Sequence, residues 1–167
     1  STVGISDKLE DFLNSLPGVR LAISLHASDD FTRSKLVPVN KKWNLSSLLS
    51  ICRNLSSDDR KRITFEYVLL KGINDSEKDA MKLARILKGI QSKINLIPWN
   101  QFEGVDFESP DQKDVVKFQE ILKKNGFVHL KINGWFTRKK IIDNYEMLIK
   151  ELDEWKVNED GIRWKYK

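Results

Sequence analysis

Three short apolar runs, each followed by a polar loop and then a helical pattern, organise the chain. Such runs, when bounded by turn residues, are typical of buried β-strands. Strands that alternate with helices predict an α/β fold with a parallel sheet, in which functional groups lie at the carboxyl ends of the strands. The runs are Leu21-Ala-Ile-Ser-Leu-His26, Ile63-Thr-Phe-Glu-Tyr-Val-Leu-Leu70 and Ile94-Asn-Leu-Ile-Pro-Trp-Asn100, and a fourth strand is predicted at 127–132.

Apolar residues recur at helical spacing in five other segments. Capping residues indicate where helices begin: Asn44, Asn74 with Glu77 three residues later, and Ser109 followed by Pro110. The predicted helices cover residues 6–16, 45–55, 75–88, the stretch from Pro110 to before Gly126, and a long segment from Thr137 to Trp155. Beyond it, the turn signal at Asp160-Gly161 predicts a small hairpin. We therefore expect two parts, 1–132 and 133–167.

Length and composition favour one globular domain with an accessory segment. The chain has 167 residues, 40% hydrophobic and 32% charged, without an apolar run long enough for a membrane span. We expect a soluble, cytoplasmic protein. Because the chain starts at Ser1 without Met and almost inside a motif, we also expect its natural N-terminus to lie upstream.

The cysteine count limits the metal chemistry of the chain. Cys52 is the only cysteine, so an internal disulfide and an all-thiolate iron–sulfur site are excluded for these residues. It falls within the helical pattern at 45–55, where a buried apolar role is favoured over a reactive thiol. We predict no metal ligands and no catalytic residues in this chain.

Positive charge is concentrated in one segment. The net charge is +5, but residues 33–62 hold eight Lys or Arg side chains against two Asp. This segment, with the basic and aromatic end at 163–167, is compatible with RNA contact, although runs of charge are also typical of solvated surface.

Polar residues at strand ends are the candidate site. Ser24, His26 and Asn100 each lie at the end of a predicted strand. Glu66 is different because it lies inside the middle strand with Thr64. Its carboxylate requires a hydrogen-bonding partner or an open interior, unless the strand lies at a solvated edge.

Five blocks of the sequence resemble, in order and spacing, the second half of the radical-SAM RNA adenosine C2-methyltransferases. The resemblance covers about residues 1–130. The blocks are Ser1-Thr-Val-Gly4, Leu21-Ala-Ile-Ser-Leu-His-Ala27, Arg33-Ser-Lys-Leu-Val-Pro-Val-Asn40, Ile63-Thr-Phe-Glu-Tyr-Val-Leu-Leu-Lys-Gly-Ile-Asn-Asp-Ser76 and Ile94-Asn-Leu-Ile-Pro-Trp-Asn100.

The resemblance implies a fold, cofactors and partners. The fold is a partial parallel (β/α) barrel, the later half of a radical-SAM barrel, closed or covered by a C-terminal helix and tail. The family carries a [4Fe–4S] cluster and S-adenosylmethionine, and it methylates an adenosine of 23S rRNA and of some tRNAs. The residues that match the family's S-adenosylmethionine contacts are Ser1, Ser24, Leu25, His26 and Asn100.

Departures from the family pattern lead to three competing interpretations. The CxxxCxxC cluster motif is missing. If Thr137-Arg138 and Ile142-Asp143 are remnants of the family's C-terminal block, Glu146 stands where the family has its methyl-carrying cysteine, so we expect no activity from this chain alone. It is a fragment or derivative of such an enzyme, a half barrel re-used by nature or by engineering as a structural domain, or an RNA-binding module. The exposed barrel interior would be closed by residues 133–167, by a second copy or by an absent N-terminal half.

Overall fold

The computed structural model describes residues 1–4, 9, 20–55, 63–100, 105–127, 130–132, 157–158 and 161–162. The chain divides into two compact units, Ser1–Gly134 and Trp135–Lys167. Of the predicted helix at 6–16 only Leu9 is described, and it is helical and buried. The predicted helix at 137–155 lies outside the described residues. The prediction that residues 133–167 close the barrel stays a prediction.

The first unit is built on a parallel sheet with strand order β1-β2-β3-β4. This confirms the predicted α/β class and places β2 in the centre. None of the helices in the described parts of the chain is long and apolar enough to cross a membrane. The elements are β1 (Ala22–Ser24), α1 (Asp30–Leu36), a 3-10 turn (Pro38–Lys41), α2 (Leu45–Leu55), β2 (Ile63–Leu69), α3 (Glu77–Leu87), β3 (Ser92–Pro98), α4 (Gln112–Lys124) and β4 (Leu130–Ile132).

The two faces of the sheet differ in chemistry. Along β2, residues alternate strictly between buried and partly buried positions, because successive side chains of a strand point to opposite faces. The buried face is apolar and belongs to one core with residues of α2, α3 and α4. Its strand residues are Ile23, Leu25, Ile63, Phe65, Tyr67, Leu69, Ile94 and Leu96. The opposite face carries Ser24, Thr64, Glu66 and Asn95, and it is the face that a closed barrel would enclose.

Cys52 lies on the buried side of α2, completely removed from solvent. Burial raises the pKa of its thiol to about 12, so it stays protonated at neutral pH. The prediction of a core residue is confirmed.

Two predicted helix starts are corrected. The α3 helix begins at Glu77 with Ser76 as the N-cap, and Ser76 forms a capping box with Asp79; Asn74 was predicted as the cap. The α4 helix has Asp111 as N-cap, without a side-chain capping bond, where Ser109 was predicted. The Asn44 cap is confirmed, since its Oδ1 accepts from the Ser47 amide at 2.9 Å.

The second unit contains a short antiparallel pair, β5 (Val157–Asn158) and β6 (Gly161–Ile162), with Val157 opposite Ile162. This pairing confirms the predicted hairpin.

Asn74 has a different role from the predicted cap, because it holds the end of β2 to the end of β1. It is almost fully buried. Its Nδ2 donates to the carbonyls of His26 and Val68, both at 2.7 Å. Its Oδ1 accepts from the Leu70 amide at 2.7 Å, and its own carbonyl accepts from the Tyr67 hydroxyl at 2.9 Å. One side chain therefore satisfies three main-chain groups at this edge of the sheet.

We expect Asn74→Ala to lower the free energy of unfolding by about 3 kcal/mol, because it leaves two carbonyls and one amide without their partner in a buried place. Urea denaturation at neutral pH measures this. The matched control is Asn125→Ala, which removes one exposed bond to the Ile121 carbonyl and should cost less than about 1 kcal/mol. Equal losses in the two variants would contradict the assigned role.

Candidate functional site: the open polar face of the sheet

The N-terminal residues lie beside β1, where Thr2 forms an isolated parallel bridge with Ile23. The Thr2 amide donates to the Ala22 carbonyl at 2.9 Å, and the Ser24 amide donates to the Thr2 carbonyl at 2.8 Å. Gly4 then turns the chain with φ of +90°, in a place where a Cβ would lie 2.6 Å from a methyl group of Leu48. Only glycine meets both conditions without strain. This turn holds Ser1 next to the open face.

Glu66 gathers two of the predicted site residues. Its Oε2 accepts from the Ser1 hydroxyl at 3.2 Å and from the Ser24 hydroxyl at 3.4 Å. Because β2 is a central strand, the expectation that Glu66 could lie at a solvated edge is wrong. The alternative, that its carboxylate has hydrogen-bonding partners, is confirmed.

His26 is fixed in one orientation and one tautomer. Its Nδ1 accepts from the Val68 amide at 3.1 Å, so the ring proton of the neutral imidazole is on Nε2. Its backbone is left-handed, with φ of +56°, a conformation that costs about 1–3 kcal/mol and is concentrated at functional sites. Burial, together with the smaller effect of the nearby charge of Arg33, lowers the pKa of His26 to about 4. At neutral pH His26 is thus an uncharged donor through Nε2.

Arg33 holds the segments that carry these residues. Its guanidinium is fully buried and donates to the carbonyls of Leu25 at 3.0 Å, Val3 at 2.7 Å and Ser24 at 3.3 Å. Desolvation lowers its pKa to about 10, which leaves it charged at neutral pH. The expectation that Arg33 belongs to an exposed RNA-binding face is therefore wrong.

The charge of Arg33 is balanced through an amide. Its Nη1 donates to Asn40 Oδ1 at 2.8 Å, and Asn40 Nδ2 donates to Asp30 Oδ1 at 2.9 Å. Asp30 also accepts from the Leu45 amide at 2.8 Å. Asn40 is itself almost fully buried. The cation, amide and carboxylate form one connected network beneath the site, which binds α1 to the start of α2.

Asn95 lies in register with Glu66, on the adjacent strand β3. Its Oδ1 is buried and accepts no hydrogen bond from any described residue. A buried acceptor without a donor costs about 1–3 kcal/mol, and such an atom on an open polar face indicates a place for a ligand donor.

Ser1, Ser24 and His26 are thus brought together by β1 and β2. Leu25 follows the same strand, but its side chain is fully buried in the core, so only its backbone is available to a ligand. Asn100 follows β3, partly buried. The whole width of β2 separates its strand from β1, about 10 Å. A ligand that touches Ser24 and Asn100 must therefore span the middle of the sheet.

Sequence reasoning missed the roles of Arg33, Asn74 and Asn95. A polar residue within an apolar strand was the available signal for Asn95, the same signal that identified Glu66. Arg33 and Asn74 gave no such signal, because each acts on main-chain carbonyls that come together only in the folded chain.

The donor set of this chain does not fit an iron–sulfur cluster. Such a cluster requires several thiolates. Cys52 is the only cysteine in the sequence, and its thiol is buried and protonated. No group of three or more metal-binding side chains occurs within the described ranges. We derive no chemical step through a cluster from these residues.

Comparison with solved structures defines the class of protein. A radical SAM methyltransferase from Sphaerobacter thermophilus matches with a TM-score of 0.73 and 37% identity, over 79% of this chain and 39% of that chain. A domain of pyruvate-formate lyase-activating enzyme from Bacteroides vulgatus matches with a TM-score of 0.57 over 77% of this chain and 73% of that chain. At 20% identity this second match shows the fold alone. The first unit thus has the fold of part of a radical SAM barrel.

Sequence relatives define the family more closely. The dual-specificity RNA methyltransferase RlmN of Wolinella succinogenes is 46% identical over 128 residues, which are 77% of this chain and 36% of that protein. RlmN of Methylocella silvestris is 48% identical over 128 residues, 76% of this chain and 32% of that protein. No protein-family profile matches the chain.

Over about three quarters of its length, this chain is homologous to the radical-SAM RNA methyltransferases, and the resemblance predicted from its five sequence blocks is confirmed. It spans about a third of the length of the curated relatives it matches.

The lowered pKa of His26 predicts an acid-sensitive stability. The unfolded chain binds a proton at the ordinary pKa of 6.5, whereas the folded chain binds it only near pH 4. The stabilisation is therefore complete above pH 6.5, and about 3 kcal/mol of it is lost as the pH falls to 4.

The control is His26→Asn, because its Oδ1 can accept from the Val68 amide, asparagine tolerates positive φ, and it does not titrate. The free energy of unfolding of the wild type minus that of the variant should fall between pH 7 and pH 4, as measured by urea denaturation. Parallel curves for the two proteins would contradict the assignment.

Proposed function

We propose that this chain forms one wall of the S-adenosylmethionine site of an RNA adenine methyltransferase, with Ser1, Ser24, Leu25, His26 and Asn100 as contact residues. The observation that carries the proposal is that the hydroxyls of Ser1 and Ser24 converge on Glu66, and that His26, two residues after Ser24, is fixed by the Val68 amide. These residues lie in a parallel sheet whose sequence relatives are RNA methyltransferases. Ligands of parallel α/β folds bind at the carboxyl ends of the strands.

The residues of the face suit this nucleoside ligand. S-adenosylmethionine carries hydrogen-bond donors in its ammonium, ribose hydroxyl and adenine amino groups, and acceptors in its carboxylate and adenine nitrogens. His26 offers a neutral donor at Nε2, and Asn95 offers a buried acceptor to which no described residue donates. The left-handed backbone of His26 has an energetic cost in the free chain, and such conformations are concentrated at functional sites.

We propose a binding role, and no methyl transfer, for the residues present in this chain. When bound, S-adenosylmethionine supplies the methyl group. A methyl-carrying thiol has to be exposed to the ligand, whereas the only thiol here is buried and has a pKa of about 12. The residues of this chain bind and orient the ligand.

Isothermal titration with S-adenosylmethionine tests the proposal. We expect saturable binding to the wild-type chain, weakened about tenfold by Ser24→Ala and by Asn100→Ala, since each removes a polar contact. Ser50→Ala, on the exposed side of α2, should bind as the wild type does. Absence of heat with the wild-type chain, under conditions where it is folded by circular dichroism, would overturn the proposed function.

We propose that the RNA partner, 23S rRNA or tRNA in the cytoplasm, contacts the surface formed by α1 and the following turn. Phe31 is 73% exposed, and the ammonium group of Lys35 lies 4.0 Å from the centre of its ring. Lys41 and Lys42 in the following turn are also exposed. An exposed ring beside several cations can stack on a base while the cations contact phosphates.

Binding of a fluorescent single-stranded RNA, followed by anisotropy, tests this surface. We expect Phe31→Ala to weaken binding about tenfold through loss of stacking, and Lys35→Ala to reduce the dependence of affinity on salt by about one ion. Val116→Ala, which shortens another exposed apolar side chain on α4, is the matched control. If Phe31→Ala and Val116→Ala bind RNA equally well, the surface does not bind RNA by stacking.

A further inference from the structure

The polar face contains a continuous row of residues across three strands. Ser24 of β1, Glu66 of β2 and Asn95 of β3 are register partners, and neighbouring strands are about 4.8 Å apart. All three lie on the face opposite the core, partly buried. A ligand on this face meets them side by side.

Glu66 fixes the direction of the hydrogen bonds made by its neighbours. A serine hydroxyl has one proton and two lone pairs. The hydroxyls of Ser1 and Ser24 both donate to Glu66 Oε2, and a carboxylate at neutral pH can only accept. Both serine oxygens are therefore left with lone pairs alone, so towards a ligand they act as acceptors.

Asn95 contributes a further acceptor to the row. Its Oδ1 is buried and receives no hydrogen bond from the described residues. Within the same described part of the chain, no basic side chain forms an ion pair with Glu66. Among the described residues, the row thus presents acceptors and a carboxylate without an ion-pair partner, which suits a positively charged or donor-rich group and disfavours a carboxylate or phosphate.

We infer that Glu66 determines the ligand specificity of this face: by converting Ser1 and Ser24 into acceptors and acting with Asn95, it selects the donor-bearing groups of the ligand. The inference rests on the proposed S-adenosylmethionine site and states how that site orients its ligand. S-adenosylmethionine has donors in two parts: the ammonium of its amino-acid part, and the ribose hydroxyls and adenine amino group of its nucleoside part. His26 Nε2, the donor at the end of β1, is then the group available to ligand acceptors.

Glu66→Gln tests the inference in the full chain. The substitution keeps the size of the side chain, removes the charge and lets the amide compete as a donor. We expect the affinity for S-adenosylmethionine, measured by isothermal titration, to fall about tenfold or more. Glu120→Gln, on the exposed side of α4, is the matched control and should bind as the wild type does.

A parallel titration with 5′-methylthioadenosine separates the two parts, because this probe keeps the nucleoside and lacks the amino-acid part. If Glu66→Gln also weakens binding of the probe, the row selects donors of the nucleoside part. If only S-adenosylmethionine loses affinity, the row selects the ammonium group. Either result supports the inference, because both identify a donor group that Glu66 selects.

Asn95→Leu adds a measurement of thermal stability to the measurement of ligand affinity. It replaces an unsatisfied buried acceptor by an apolar group of similar size, so the Tm of the ligand-free chain should rise by about 2–4 °C while affinity for S-adenosylmethionine falls. A lower Tm would show that Asn95 is a structural residue and would overturn the inference.

Wild-type affinity in Glu66→Gln, together with lost affinity in Ser24→Ala, would overturn the inference and leave the proposed function standing. No binding by the wild-type chain would overturn both.

Discussion

The guanidinium of Arg33 is completely removed from solvent, and it remains charged because its pKa is lowered only to about 10. A buried cation is tolerated only when its N–H groups all meet acceptors. In this chain the acceptors are mostly main-chain carbonyls, those of Val3, Ser24 and Leu25. The positions of Val3 and of the end of β1 are thus fixed by the hydrogen bonds of one side chain. Ser1 and Ser24 lie where they do because the carbonyls next to them are already bound.

The same arrangement recurs on the other side of β1. Asn74 is buried and binds the carbonyls of His26 and Val68, while the Val68 amide binds the ring of His26. His26 is therefore held at its carbonyl and at Nδ1, with Nε2 left for a ligand. Together Arg33 and Asn74 hold the polar side chains of this edge before any ligand arrives, which reduces the ordering cost of binding.

Periodicity predicted the fold well where the pattern was long. The helix at 45–55 and the strand at 63–69 agree with their predictions almost to the residue, because apolar spacing reflects burial directly. Helix starts were less predictable, because both asparagine and serine are common N-cap residues. Asn74 was predicted as the N-cap, whereas Ser76 is the N-cap in the structure. The proposed contact residues Ser24 and His26 were visible in the sequence as polar endings of an apolar run. Arg33 was counted among the surface cations because it lies in a basic segment of the sequence. Its burial could not be predicted, because it depends on the carbonyls of Val3 and Leu25, which come from other segments.

The burial of Cys52 means that chemical labelling of its thiol can detect opening of the core. It is the single thiol of the chain, completely buried between α2 and the sheet, with a pKa near 12. In the closed structure the thiolate is absent and the sulfur is unreachable, so a thiol reagent meets Cys52 only when α2 separates from the strands. The rate at which a thiol reagent labels Cys52 therefore reports how often α2 separates from the sheet. That rate should fall whenever a ligand binds the closed form.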